Sequence, residues 1–479
     1  MNTGTTRPDQ QRMTPSSFGG WLPEMAVFIA ALVGRLPALG AWWTLDDWGQ
    51  LARAAGLETG AGPTGWPARW LSQHLYWDLT WPLFGLNSDA HALVRLILHG
   101  LAAVLVTRIA WRSGLGPLSR LLAGLVFAAS PLAFTPLYWA SGIQELMAAV
   151  FALAAVDRWL AGTTGGRRQL AWATLFAALS IFSKESGLGL PLLFLVFAWL
   201  RAGVRLEDKM FAWAMIMLLL AVAVTEGVLV LDHFATSAGE PYATGGIRVA
   251  LTNLGAFGWW LMSPTPILAS SISTVMTLTG GLFFVAWAAL GAVMWRRRSP
   301  LILLALVAAM LILVPALPLK FQVVPYLAYL AVAPLALMVG AIAHQFRTTK
   351  LDHLGNLPLL GFMALVAMAW GFFGMETRLT IRNELGLVAD PVVRATALSW
   401  QGCRTIEHVQ SHPGLGRPDL AGFTHLTLLQ PLVDAKANEL ASSLGERWTQ
   451  ASDLHEALGG NLGPRLILAP TIQVHWANG

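Results

Sequence analysis

The sequence predicts an all-α polytopic membrane protein with about 11 transmembrane helices, outer juxtamembrane helices and a small C-terminal α/β domain. Of the 479 residues, 55% are apolar and only 12% are charged, against about 25% charged in soluble domains. The mean hydropathy is +0.57. The 22 tryptophans and 46 glycines indicate the same class, because membrane proteins are enriched in interfacial aromatics and in small residues between packed helices.

Charge, cysteine content and motifs exclude several other classes. The net charge of +5 comes from 31 Lys and Arg against 26 Asp and Glu, which gives no basis for nucleic-acid binding. The single cysteine, Cys403, excludes an intramolecular disulfide and a multi-cysteine metal cage. The sequence also contains no internal repeat, P-loop, GxGxxG, HExxH or GxSxG motif in a usable context.

Apolar runs of roughly 17–25 residues indicate membrane spans. They lie near residues 21–41, 91–111, 118–139, 143–161, 169–182, 186–200, 210–231, 275–295, 300–319, 322–343 and 357–375. The fifth and sixth runs are short and are separated only by the polar residues 183–186. Pro191 and the charged pair Lys184-Glu185 favour two helices over one long helix.

The distribution of basic residues predicts the orientation. With a cytoplasmic N-terminus, the cytoplasmic segments hold sixteen Lys and Arg, and the outer segments before the tail hold six. We therefore expect an integral membrane protein with a cytoplasmic tail (1–19), a membrane domain (20–375) and an extracytoplasmic C-terminal domain (376–479). The membrane is expected to be the bacterial inner membrane, which would make the C-terminal domain periplasmic. The first span carries Glu24 and Arg35 and exceeds an ordinary signal-peptide core, so it is expected to be retained.

Three segments outside the spans have distinct patterns. The outer loop 42–90 is rich in tryptophan, which is typical of amphipathic helices lying at the interface, and the outer loop 232–274 has a similar composition. In the tail, short strands at Thr424–Leu429 and Arg465–Leu468 are predicted to flank a helix from Leu432 to Leu458.

Asp46 and Asp47 follow the first span directly and are the first candidates for chemistry. Adjacent carboxylates on a helix cannot both face one ligand, so one is expected to act while the other orients it, caps a helix or binds a cation. The alternative is a solvated helix cap. The neighbouring tryptophans favour a partly desolvated pocket.

Glu145 begins the fourth span at its outer end. The helix dipole favours a carboxylate in this first turn by only about 0.3–1 kcal/mol. Simple end-capping and a place beside Asp47 therefore both stay open.

Three outer cations, Lys184, Arg248 and Lys320, lie near spans and oppose the orientation bias. An anionic lipid phosphate would explain them together. For Lys184, a local ion pair with Glu185 or a snorkelling side chain is the alternative.

Further residues are predicted to bind substrate: Arg69, His74, Tyr138, Glu185 and Tyr326. Polar and aromatic side chains near the outer face can bind sugar hydroxyls and stack on sugar rings. For Arg69 and His74, a place in an ordinary polar surface loop is the alternative. His91 and His99 lack metal-ligand spacing, so no structural metal is predicted. No obligatory cofactor is expected, and a divalent cation at the acidic pair stays possible.

The residue pattern over about 20–345 resembles the GT-C membrane glycosyltransferases. Its specific parts are Asp46-Asp47, the stretch 182–191 (Phe-Ser-Lys-Glu-Ser-Gly-Leu-Gly-Leu-Pro) and the looser stretch 319–330 with Lys320, where relatives commonly carry an arginine. The resemblance is to protein O-mannosyltransferases, tetratricopeptide-associated mannosyltransferases and aminoarabinose lipid A transferases. No tetratricopeptide repeats follow the membrane part here.

This resemblance implies a GT-C-like fold and an inverting transfer of sugar from a polyprenyl-phosphate donor on the non-cytoplasmic face. The acceptor would be a protein, lipid or glycan. Asp47 would be the base with Asp46 assisting, Glu145 would position a substrate, and Lys184, Arg248 and Lys320 would bind the donor phosphate. An oligosaccharide polymerase or ligase stays open, as does a transporter or flippase of lipid-linked sugars.

Overall fold

A computed structural model describes residues 21–41, 43, 47–54, 69–85, 87–199, 206–236, 243–263, 272–297, 299–321, 323–348, 406–411, 466–469 and 472–476. Within these ranges the protein is mainly helical up to residue 348, and three short strands lie between residues 406 and 476.

Fourteen α-helices lie in the described ranges. They are α1 (Leu22–Val33), α2 (Asp47–Ala54), α3 (Tyr76–Phe84), α4 (Ser88–Arg112), α5 (Pro117–Ala129), α6 (Phe134–Tyr138), α7 (Ile143–Gly165), α8 (Arg167–Ser183), α9 (Leu190–Trp199), α10 (Leu206–Thr236), α11 (Ile247–Met262), α12 (Thr274–Arg296), α13 (Leu301–Leu313) and α14 (Val332–Thr348). A π-helix over Trp70–Leu75 precedes α3, and a 3₁₀-helix over Glu185–Gly189 precedes α9.

In the described ranges, four helices are long and apolar enough to cross a membrane. There are five if the bent pair Pro117–Ala129 and Pro131–Tyr138 is one span. Shorter apolar helices of 10–17 residues accompany them. Each of the first ten predicted spans contains a described helix. The eleventh, 357–375, lies outside the described residues, so eleven crossings stay a prediction.

The outward face of α12 carries exposed apolar side chains. In water such a stripe would be unfavourable, but lipid tails are as apolar as these side chains. These side chains repeat every three or four residues and are 63–68% exposed: Val275, Leu278, Leu282 and Val285.

The break predicted between the fifth and sixth spans is present. α8 ends at Ser183, and Lys184 has an extended backbone with φ −167° and ψ 155°. The 3₁₀-helix follows, and α9 then begins at Leu190 with Pro191 in its first turn, where proline loses no helical hydrogen bond. This break places two charged residues, Lys184 and Glu185, between two apolar helices.

Two tryptophans of the outer loop are buried, whereas Trp70 of the same loop is about half exposed. Trp43 and Trp77 are almost fully buried, and Trp77 stacks on His91 of α4 with ring centroids 5.6 Å apart. Tyr76 bonds His91 Nδ1 through its hydroxyl at 2.9 Å. Trp77 is buried because α3 packs against α4, and Trp43 lies against Trp77 and His91. The interfacial prediction therefore does not hold for these two rings.

Glycines allow α11 and α12 to approach closely. A Cβ atom at Gly280 would overlap the carbonyl oxygen of Gly255, whereas a Cβ at Gly281 would meet nothing within 4 Å. Small residues at such contacts are typical of helix packing in membranes.

Three strands, β1 (Ile406–Ser411), β2 (Leu466–Ala469) and β3 (Ile472–Trp476), form an antiparallel sheet in the order β1-β3-β2. β2 overlaps the predicted strand at Arg465–Leu468. The predicted strand at Thr424–Leu429 and the helix from Leu432 to Leu458 lie outside the described residues, so the α/β domain stays a prediction.

Candidate functional site

A cavity of about 360 Å³ brings five of the predicted site residues together. It lies where α7 begins and α8 ends, and its far wall is formed by the end of α13 and the segment after it. The predicted residues that line it are Arg69, Glu145, Lys184, Glu185 and Tyr326.

Two ion pairs cross the cavity wall. Lys184 Nζ lies 2.8 Å from Glu145 Oε1, and both side chains are almost fully buried. Arg69 donates from Nε and Nη2 to the two carboxylate oxygens of Glu185, at 2.6 and 3.0 Å. The local Lys184–Glu185 pair considered from the sequence is therefore replaced by two pairs, each with a residue distant in the chain.

Arg69 has the one positive φ, 60°, among the non-glycine residues that the structure describes. This conformation costs about 1–3 kcal/mol and persists only where surrounding contacts hold it. The Arg69 carbonyl accepts from the amides of Ser72 and Gln73 at 3.0 and 2.8 Å. Ser72 Oγ donates to the Ser183 carbonyl at 2.6 Å, so the same turn is tied to the end of α8.

Tyr326 closes the side of the cavity next to Lys184. Lys184 Nζ lies 5.4 Å from the centre of the Tyr326 ring, within the range of a cation–π contact. Trp139 meets Tyr326 edge to face, with centroids 5.6 Å apart, and also lines the cavity. Two aromatic rings therefore stand beside the ion pair.

Three buried acceptor atoms on the cavity wall have no hydrogen-bond partner in the protein: Gln144 Oε1, Glu145 Oε2 and Ser186 Oγ. An unsatisfied buried polar atom costs about 1–3 kcal/mol, which a hydrogen-bonding ligand would recover. Sequence reasoning missed Gln144 and Ser186, because uncharged polar residues beside a span have no distinctive pattern.

Asp47 is fully buried behind this wall. Its Oδ1 accepts from the backbone N–H and the hydroxyl of Ser141, both at 2.7 Å, and its Oδ2 accepts from the Ala140 N–H at 3.3 Å. Ser141 itself lines the cavity, whereas Asp47 does not. Ser141 therefore separates Asp47 from the cavity. Asp46 lies outside the described residues.

Four other predicted residues do not line the cavity. Tyr138 is buried and stacks on Phe134 with centroids 4.5 Å apart. His74 is partly buried, and burial and then the charge of Arg53 lower its pKa, which favours the neutral ring. Arg248 and Lys320 are exposed and do not line the cavity, so their convergence with Lys184 on one phosphate stays a prediction.

Main-chain hydrogen bonds join the two segments that form the cavity rim. Gly245 N donates to the Pro318 carbonyl at 2.7 Å, and Lys320 N donates to the Ala243 carbonyl at 2.8 Å. The Asn253 amide donates to the carbonyls of Leu317 and Leu319 at 2.8 and 2.7 Å. Lys320 therefore lies on one rim segment, and Arg248 lies in the first turn of α11, which follows the other segment. Neither residue lines the cavity.

Glu226 is a buried carboxylate that sequence reasoning missed. It lies within the apolar run of α10, directly before Gly227, which lines the cavity, and its Oε2 has no partner. An ionisable residue inside an apolar helix is by itself a functional signal, and this signal was available from the sequence.

In the part of the chain that the structure describes, no three His, Cys, Asp or Glu side chains group closely enough to hold a metal ion. His91 and His99 instead bond tyrosine hydroxyls, of Tyr76 and Tyr329 respectively. The divalent cation considered for Asp46-Asp47 stays a prediction.

No protein-family model matches the sequence, and no curated protein matches it. A crystal structure of the oligosaccharyltransferase from Archaeoglobus fulgidus in the apo form is similar to the chain, with 14% identity and a TM-score of 0.47. The similar region covers 85% of this chain and 59% of that one, so the chain spans less than two thirds of that protein.

Proposed function

We propose that the protein is an inverting membrane glycosyltransferase of the GT-C type. It takes a sugar from a polyprenyl-phosphate donor and transfers it to a hydroxyl or amide of a protein, lipid or glycan acceptor on the non-cytoplasmic face. The observation that carries the proposal is the cavity, whose wall combines cations that suit a phosphate, unpartnered acceptors that suit sugar hydroxyls, and two aromatic rings.

Lys184 is proposed to bind the leaving phosphate. A lysine ammonium has three N–H donors, and the carboxylate of Glu145 takes one of them at 2.8 Å. The remaining donors are available to phosphate oxygens, and such charge-assisted bonds stabilise the anion that leaves. Glu145 holds the ammonium group in place when no donor is bound.

Gln144, Glu145 and Ser186 are proposed to hold the sugar. Their unpartnered oxygens accept hydrogen bonds from sugar hydroxyls, and Trp139 and Tyr326 offer faces for the ring. This subsite lies next to Lys184, as a sugar joined to a phosphate requires.

Asp47 is proposed to receive the proton of the acceptor through Ser141. As the acceptor oxygen bonds to the anomeric carbon, the bond from that carbon to the phosphate oxygen breaks, and its electron pair leaves with the phosphate. The acceptor proton passes to Ser141 Oγ while the Ser141 hydroxyl proton passes to Asp47 Oδ1, 2.7 Å away. Glu145, whose Oε2 is unpartnered, is the second candidate for the base.

The test measures donor consumption. The purified protein is incubated with a panel of polyprenyl-phosphate sugars and with membrane extract as the source of acceptors, and released polyprenyl phosphate is quantified by mass spectrometry. We expect release from one donor and none with Glu145→Gln. Donor binding without release in any combination would contradict the proposal. Movement of the intact donor across vesicles would then favour a flippase.

The reaction product distinguishes monosaccharide transfer from the polymerase or ligase alternative. Transfer of one sugar per turnover supports monosaccharide transfer, whereas release of the carrier from a preassembled oligosaccharide donor supports a ligase.

A further inference from the structure

Three arginines surround one buried aspartate far from the cavity. Asp157 of α7 is fully buried, and its carboxylate lies 3.4 Å from Arg108, 2.5 Å from Arg112 and 2.8 Å from Arg158. We name this group the arginine cluster. Asp157 lies twelve residues after Glu145 on α7, about 18 Å away by helix rise.

The arginine cluster has more charge than its aspartate neutralises. Three guanidinium groups and one carboxylate leave a net charge of +2. The three arginine side chains are 18–31% exposed, so each can reach a partner outside the protein. Arg158 also donates to Gln169 Oε1 at 3.3 Å, which fixes its position.

An apolar cleft of about 250 Å³ lies beside the arginine cluster. Its walls come from α4, α7, α9, α13 and α14, and its lining residues are apolar except for Ser113. Leu193, Phe197 and Ala308 are among them.

The cleft and the cluster share the same helical turns. Ile109 and Ser113 line the cleft and flank Arg112 in sequence, while Val156 of α7 lines it directly before Asp157. Residues within one turn of a helix lie within about 5–6 Å of one another. The cationic end and the apolar cleft therefore form one continuous surface.

We propose that this surface is a binding site for an anionic phospholipid. Its phosphate lies against the guanidinium groups of Arg112 and Arg158, and one acyl chain fills the cleft. The guanidinium fork suits phosphate oxygens, and the excess positive charge favours an anionic headgroup over a zwitterionic one. Asp157 holds the arginines in place before the lipid binds.

The test uses delipidated protein in detergent, titrated with dioleoyl phosphatidylglycerol or dioleoyl phosphatidylcholine and followed by native mass spectrometry. Arg158→Gln removes the most exposed charge and is expected to weaken phosphatidylglycerol binding roughly fivefold. Ala308→Phe fills the cleft without changing any charge, and is expected to weaken binding roughly tenfold by excluding a few methylene groups. Arg296→Gln, at the exposed end of α12, is the matched control with the same charge loss.

The two variants act on different halves of the site, so a folding defect in one leaves the other informative. A preference for phosphatidylglycerol that falls in Arg158→Gln and Ala308→Phe but persists in Arg296→Gln supports the proposal. An equal loss in Arg296→Gln would show a general attraction to basic residues and would overturn it. Binding that is unchanged in Ala308→Phe would also overturn it, because the acyl chain would then lie elsewhere.

Discussion

Lys184 illustrates how one residue in this protein combines structural and functional demands. Its ammonium group is buried with Glu145, and breaking such a pair from one side leaves an uncompensated charge. Burying a charge between two apolar helices costs folding free energy, so stability alone does not explain a lysine at this position. A role toward an anionic ligand explains why a charge is kept there.

Replacing Lys184 by methionine should weaken donor binding roughly ten- to hundredfold, because charge-assisted contacts to phosphate contribute about 1.5–3 kcal/mol. A non-hydrolysable polyprenyl-phosphate sugar analogue, titrated in nanodiscs, measures this effect. The double variant Lys184→Met/Glu145→Gln removes both charges and controls for the stranded carboxylate. Lys209→Met is the control for loss of a cation elsewhere. Wild-type affinity in Lys184→Met would show that the lysine has only a structural role.

Asp47→Asn should lower transfer about 10²–10⁴-fold, because an amide cannot act as a base. Donor affinity should change little, and this split distinguishes a base from a merely structural residue. Asp78→Asn is the control in the same loop, since the Asp78 side chain is about half exposed and pairs only at the surface with Arg53. Near-wild-type turnover of folded Asp47→Asn would transfer the role of base to Glu145.

The charged residues of the site were predictable from the sequence, whereas its uncharged polar residues were not. Lys184 and Glu145 stood out because the membrane gives no reason for ionisable groups there. Their pairing was not predictable, because it depends on how the extended backbone at Lys184 directs the side chain toward α7. Ser141 lines the cavity and hydrogen-bonds Asp47. This contact was not predictable, because a serine beside a glycine has no distinctive sequence pattern.

At the scale of elements, the contact between α11 and α12 depends on missing side chains. Gly280→Ala would push a methyl group into the Gly255 carbonyl, and overpacking of this kind costs about 1–3 kcal/mol. We expect a lower midpoint in a thermal unfolding assay in detergent. Gly281→Ala, the next residue, meets open space and should unfold like the wild type. Equal midpoints for the two variants would mean that the helices separate easily.

The helices were more predictable than the loops between them. Hydrophobic length placed a helix in each of the first ten predicted spans, because an apolar run in lipid has few alternatives to a helix. The outer loop was harder to predict. Its tryptophans suit both an interface and an interior, and only the packing of α3 on α4 decides between them.

For the whole molecule, the charge asymmetry predicts a cytoplasmic N-terminus and a periplasmic tail. Alkaline phosphatase, which is active only in the periplasm, should therefore be active when fused after Gly479. A cytoplasmic reporter such as green fluorescent protein should fluoresce when fused before Met1. The reverse pattern at both ends would contradict the orientation and move the cavity to the cytoplasmic face.

The cavity rim has a consequence for how this protein can change over evolution. Its two segments are joined by backbone hydrogen bonds and by the Asn253 amide, so its shape depends little on the side chains at Thr244 and Leu319, which face the cavity. Substitutions at these two positions change the side chains that a ligand meets at the cavity opening, while the backbone hydrogen bonds of the rim are kept. New ligand preferences can therefore arise at the rim through single mutations that the fold tolerates, whereas changes to the buried ion pairs require compensation elsewhere.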